Sequence, residues 1–249
     1  MGEGRSTIWP RVRLLVEGSV SLVFPPHCDI CHKPLVDRAS PVCVPCIAAM
    51  PLVGRDYCRR CGAVQGEYVG VISTCHYCER ETKGFGVDQV VAAGMYEQGF
   101  DKLVKALKFG RRRALATLAS AWLAQLVLDR GVETDIVVAV PLGRERFWRR
   151  GFNQAELIAR QLAARIGKPY ASGVLKRTRE TPPQAQQAQE QRAGNVRGAF
   201  KTGRRAGMVE DKRVLLVDDV MTTGATLREA ALALKRAGAK EIAGAVVAR

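Results

Sequence analysis

No stretch of this 249-residue chain is apolar for long enough to cross a membrane or to form a clean secretory core. The most apolar N-terminal segment, Ile8 to Phe24, is interrupted by Arg11, Arg13 and Glu17, which excludes a spanning helix there and predicts a cytoplasmic location. No Gly-Lys-Ser/Thr triplet occurs, so a Walker-type phosphate loop is excluded. Acids are scarce: 24 Asp and Glu stand against 39 Lys and Arg, a formal charge of +15. That imbalance favours polyanionic partners or anionic substrates and carries no information about fold. Cysteine is absent outside residues 28–78, and the only histidines, His27, His32 and His76, each abut a cysteine.

What is present begins with those cysteines. They form four Cys-x-x-Cys pairs: Cys28 and Cys31, Cys43 and Cys46, Cys58 and Cys61, Cys75 and Cys78. A two-residue gap lets two thiolates converge on one ion, and two pairs complete a tetrahedral shell, so two structural Zn2+ sites are expected. Four disulfides do not suit a cytoplasmic chain. Sequential and interleaved pairing both satisfy the spacing. The gaps between pairs suit short hairpins rather than helices. With four thiolates per ion no coordination position stays open, so neither site is expected to be catalytic. The segment has too few apolar residues to fold without metal.

The organising stretch of the second half runs from Arg213 to Leu227. Val214 to Val217 read as a buried parallel strand, and Leu227, Ala231 and Leu234 recur at helical spacing until Gly238. Asp218 and Asp219 stand at the strand's carboxyl end, where an open α/β sheet presents its ligand crevice. Thr222, Thr223, Gly224, Ala225 and Thr226 then make a small-residue turn into the helix, which aims backbone N–H groups and the positive end of a helix dipole at one point. The pattern is a phosphate cradle beside two acids able to hold sugar hydroxyls.

Three units are expected: a short amphipathic helix over 1–25, carrying Trp9, Leu14, Leu15, Val20 and Leu22; a cysteine module over 26–82; and an α/β domain over 87–249. The domain reads as a strand over Val87 to Tyr96, a helix lined by Phe100, Leu103, Val104 and Leu107, and a helix over Leu115 to Leu128. A strand over Asp135 to Val140, an arginine-rich loop, a helix opened by Asn153 as N-cap with Glu156 at capping-box spacing, a further strand, and a long loop between Lys176 and Phe200 follow. That alternation argues for a mostly parallel sheet with helices on both faces. Arg144, Arg146, Arg149 and Arg150 mark a second anion site at the same edge as Asp218, and Phe147, Trp148 and Phe152 serve either as core or as stacking faces for a base.

The acid pair, the Thr-Gly turn and their flanking strand and helix resemble the 5-phosphoribosyl-1-diphosphate (PRPP) motif of type I phosphoribosyltransferases. With the Arg-Gly-Phe-Asn-Gln run at 150–154 and the eight-cysteine double zinc ribbon, the chain resembles the ComF family of competence-associated phosphoribosyltransferase-like proteins over nearly its whole length. The resemblance implies that Asp218 and Asp219 bind the ribose hydroxyls, that residues 222–226 bind the 5′-phosphate, and that Pro141, Leu142 and Gly143 line a pyrophosphate loop with Arg144 neutralising the departing diphosphate. It implies Mg2+ bound with PRPP or a nucleotide, and a lid over the site, for which Arg177, Arg179, Gln184 and Arg192 are candidates. Arg150 and Asn153 are further lid or nucleic-acid candidates. It also implies a role in DNA uptake, either as a phosphoribosyltransferase or as a non-catalytic single-stranded DNA-binding protein. A competence ATPase docked on the ribbon is a third partner class, without residue-level support. One departure stands out: several purine enzymes of the type carry an aspartate base where this chain has Thr222, and a threonine cannot take a proton near neutral pH.

Overall fold

The computed structural model describes residues 26–36, 40–65, 75–79, 81, 84–110, 112–179 and 198–249. The expected helix over 1–25 lies outside them, as do Gln184 and Arg192.

The domain is built on four parallel strands: β1 (Gln89–Gly94), β2 (Ile136–Ala139), β5 (Arg213–Val220) and β6 (Glu241–Ala248), in the order β1-β6-β5-β2. Register pairs Gln89 with Ala243, Val214 with Ile242, and Ile136 with Val214. The strands are short runs of Val, Leu, Ile and Ala, as expected when both faces are covered. Alternate residues of β5 enter opposite cores: Leu215 and Val217 pack on one face, Val214 and Leu216 on the other. The first face is covered by α1 (Phe100–Phe109), α2 (Leu115–Asp129) and α4 (Gln154–Arg165), the second by α5 (Ala225–Arg236) and a two-stranded antiparallel ribbon of β3 (Leu175–Arg177) and β4 (Phe200–Thr202).

Two stretches differ from the sequence reading. Residues Arg144–Arg150, expected as loop, form a two-turn helix, α3. Glu145 in its first turn and Arg149 and Arg150 in its last complement the dipole, and Gly151 at φ 77° closes it in the left-handed conformation. The chain also forms a strand after the long loop that the sequence reading did not include: β4 pairs antiparallel with β3, Leu175 with Thr202 and Arg177 with Phe200, so that of the residues expected in the loop Arg177 is taken into the ladder.

The cysteine module is not a detached appendage. Cys28, Val42 and Met50 join the core that holds Phe100 and Leu103, whereas Cys61, Ala63, Cys75 and Cys78 join the opposite core with Phe85 and Val90. Between them the chain runs along the free edge of β1, where Val53 N donates to Ala93 O (2.8 Å) and Val90 N donates to Arg59 O (2.9 Å). The two ribbons thus straddle an edge strand whose exposed amides and carbonyls would otherwise invite another chain. Only half of the hairpin expectation holds: His27 bridges Pro34 and Tyr57 bridges Val64, but the second pair of each ribbon sits on helical turns, Val44–Ala48 and His76–Glu79.

Candidate functional site

The thiols settle the pairing. Cys28, Cys31, Cys43 and Cys46 converge, and so do Cys58, Cys61, Cys75 and Cys78, all ligand atoms of each set lying within 4.8 Å of one another. A tetrahedral ion with Zn–S bonds of about 2.3 Å sets its sulfurs about 3.8 Å apart. The Cys31–Cys43, Cys58–Cys78 and Cys61–Cys75 separations are 3.7, 3.6 and 3.6 Å, so both sets fit zinc. Burial opposes ionisation of Cys28, but backbone amides at Cys31, Cys43 and Ile30 outweigh it and lower its pKa to about 6. None of the three histidines belongs to either set.

At the other centre, β5 runs through both acids rather than stopping before them, which leaves Asp218 half-buried and Asp219 buried at the carboxyl end of the sheet. The Asp218 carboxylate accepts the Asp219 N–H at 2.8 Å. Burial first, then the charge of Asp219, push the Asp218 pKa up to about 7, against the pull of that amide and of Lys108 and Arg177. The turn that follows is pinned by Met221 N donating to Ala248 O (2.9 Å) and enters α5 through Gly224 at φ 71°. Residues 220–227 line a shallow, solvent-open cleft. The first amides of α5 have no intrahelical partners, and the helix dipole adds positive potential at the same point. Thr222 is exposed; Thr223 is half-buried, its hydroxyl accepting the Ala225 N–H at 3.5 Å.

Three cations face the acids. Lys108 Nζ lies 2.9 Å from Asp219 Oδ1. The Arg150 charge faces Asp219, its Nε buried without a hydrogen-bond partner and its guanidinium 5.2 Å from the Phe109 ring centre. Arg177, on β3, acts on Asp218 and donates its Nε to Arg179 O (3.2 Å). Lys108 was not among the residues expected here. Its signal was present, since spacing of four from Val104 places it on the buried stripe of α1, where a lysine needs a partner.

Other expected residues fall into different places. Pro141, Leu142 and Gly143 form the turn between β2 and α3, and Arg144 is exposed on the first turn of α3. Asn153 is spent on structure: its amide donates to Val140 O (3.0 Å) and its oxygen accepts the Ala155 N–H (3.2 Å), as an N-cap that also latches the end of β2. Glu156 pairs with Arg160 (2.7 Å) instead of closing a capping box. Phe152 is buried, whereas Phe147 and Trp148 are exposed.

The raised pKa of Asp218 has a thermodynamic sign. The native state holds a proton that the unfolded chain releases near pH 4, so the associated stability is full below that pH and is lost as pH rises through about 7. Asp218→Asn removes the term. The variant's melting temperature is expected to gain on the wild type by several degrees between pH 5.5 and pH 8. A wild-type-minus-variant difference flat across that window in calorimetry would contradict the assignment.

Comparison with known proteins follows the same division. Residues 109–249 match the phosphoribosyl transferase domain family, and residues 19–80 match the double zinc ribbon domain family. The DNA utilization protein YhgH of Salmonella typhi is 32% identical over 226 residues, covering 89% of this chain and 96% of the relative. Competence protein F of Haemophilus influenzae is 32% identical, over 75% of this chain and 81% of its own length. Competence protein ComFC of Streptococcus pneumoniae is 28% identical, over 81% and 84%. The chain belongs to the ComF family, in which a double zinc ribbon precedes a phosphoribosyltransferase-like domain.

Proposed function

We propose that the chain binds PRPP or a related nucleotide at the carboxyl end of β5, transfers the phosphoribosyl unit to a small nucleophile, and does so in the uptake or use of DNA. The observation that carries this reading is one crevice holding two acids, a small-residue turn that opens a helix, and three cations on the acids. Asp218 and Asp219 would accept the ribose hydroxyls, the 222–226 turn would hold the 5′-phosphate, and the Pro141–Gly143 turn with Arg144 would meet the diphosphate. Mg2+ would arrive on the diphosphate oxygens, keeping most of its waters and stabilising the leaving group, so no dedicated protein cage is required. The chain's share is alignment and charge stabilisation. Of the lid candidates, Arg177 and Arg179 lie among the described residues, with Arg177 acting on Asp218, and Gly198 N donates to Glu229 on α5 (2.7 Å), whereas the rest of the expected lid lies outside them. Thr222 cannot remove a proton, so the reading favours a nucleophile that needs no protein base there. The names of the relatives, competence and DNA utilization proteins, support the link to DNA.

One observation favours single-stranded DNA as a partner. Trp148 is 80% exposed, Phe147 44% and Phe109 68%, among the arginines of α3. Exposed aromatics interleaved with cations are a stacking platform for unpaired bases.

Calorimetric titration of the zinc-loaded protein with Mg2+ and PRPP tests the first reading. Saturable binding is expected in the wild type. The double variant Asp218→Asn with Asp219→Asn should weaken it on the order of 100-fold or more, since two charge-assisted hydrogen-bonding sites are lost. Oligonucleotide binding should fall steeply with salt and survive the double variant. Absence of PRPP binding in the wild type, with oligonucleotide still bound, would leave only the DNA-binding reading.

A further inference from the structure

The second zinc ribbon and the phosphate turn are built into one another. Phe85, 3% exposed, lies directly against the turn: a Cβ added at Gly224 would come 2.4 Å from its ring. One residue on, a Cβ at Gly86 would come 2.8 Å from the Arg228 Cα. Arg228, in the second turn of α5, donates to Glu81 (3.2 Å) and to Gly84 O (3.1 Å), and its side chain is only 13% exposed. Glu81 N in turn donates to the carbonyl of the ligand Cys78 (3.2 Å). From the other side Arg249 donates to Cys61 O (2.8 Å) and lies over the rings of both Tyr77 (4.5 Å) and Phe85 (5.8 Å). No comparable chain of contacts leads from the first cysteine set to the turn among the described residues; that set packs on the opposite face of the sheet.

We infer that Phe85, Glu81 and Arg228 are positioning residues that couple the second zinc site to the phosphate turn, so that occupancy of each strengthens the other. The inference rests on the phosphate-binding reading of residues 222–226. With the ribbon closed on its ion, Cys78 fixes Glu81, Glu81 and Gly84 fix the first half of α5 through Arg228, and Phe85 holds the Gly224 turn in its left-handed conformation. Without the ion those supports are released together. A packed contact network of this kind has a coupling free energy, and linkage makes it reciprocal: PRPP must tighten zinc by the factor by which zinc tightens PRPP.

The test uses full-length protein loaded with two zinc ions. Zinc affinity is read at equilibrium by competition with a colorimetric chelator, with and without saturating Mg2+–PRPP, and PRPP affinity is read by calorimetry. PRPP is expected to tighten both ions, because the domain that binds it needs them to fold, and to tighten the ion of the second ribbon about fivefold or more beyond the other. Phe85→Ala is expected to abolish that difference and weaken PRPP about tenfold with both ions retained. Arg228→Met, which leaves the buried aromatic in place, is expected to act in the same direction and guards against a folding defect in the first variant. Zinc affinities that ignore PRPP, or an Arg228→Met protein that keeps the full coupling, would overturn the inference while leaving PRPP binding intact. A wild type that binds no PRPP would overturn the underlying reading instead, so the two failures are distinct.

Discussion

Stripping both zinc ions from the intact protein with a strong chelator is expected to unfold the α/β domain along with the ribbons, in one cooperative loss of structure. Structural zinc contributes about 10–16 kcal/mol per site in small zinc modules. Two such sites together exceed the usual net stability of about 5–15 kcal/mol for a whole domain. A detached ribbon would lose its own fold and leave its neighbour standing. Here the ligands Cys28 on one face and Cys61, Cys75 and Cys78 on the other are part of the same cores as Phe100 and Val90. Their release would also uncover β1, whose edge is paired through Val53 and Arg59. Circular dichroism and hydrogen exchange should therefore show loss of protection in β1 and β6 on chelation, recovery on adding zinc back, and aggregation where recovery fails. An α/β domain that melts at the same temperature with and without zinc would contradict this.

Gly224→Val is expected to remove measurable PRPP binding, a loss of at least about 100-fold, and to lower the melting temperature. Two effects add. At φ 71° an L side chain is strained, by roughly 1–2 kcal/mol for an ordinary residue. Its Cβ would also overlap the Phe85 ring at 2.4 Å, a contact that cannot persist, so either the ring leaves a buried site or the turn moves. Because the turn sets where the first amides of α5 point, a displacement of about 1 Å is enough to spoil convergence on a phosphate. Gly224→Asn separates the causes. Asparagine tolerates the left-handed region but brings the same Cβ, so a variant with Asn that is as impaired as the one with Val assigns the loss to Phe85, and one that recovers assigns it to backbone strain. Binding by the valine variant at wild-type affinity would show that the turn is not the phosphate site.

Much of the candidate site was legible because its information is local. Strand, acids, turn and helix lie consecutively from Arg213 to Leu227, and period, glycine placement and small residues suffice to read them. The four Cys-x-x-Cys pairs were legible for the same reason. Helix α3 was missed although its dipole-matched charges and closing glycine were in view, because four arginines in seven residues carry no apolar stripe. Strand β4 was not read because three residues are too few to show alternation.

By itself the sequence determined the local chemistry: four Cys-x-x-Cys pairs able to hold metal, two acids beside a small-residue turn into a helix, and the alternation that makes the sheet parallel. Only the tertiary structure decided how these pieces meet. It paired the cysteines sequentially, brought Lys108 from α1 onto Asp219, spent Asn153 on a cap, and set Phe85 beneath Gly224 with a zinc ribbon on each face of the β1 edge. The reason is physical. Hydrogen-bonding period and ligand spacing are set by neighbours along the chain, whereas a buried salt bridge or an aromatic contact depends on close packing between segments far apart in sequence, and no local pattern records which segments those are.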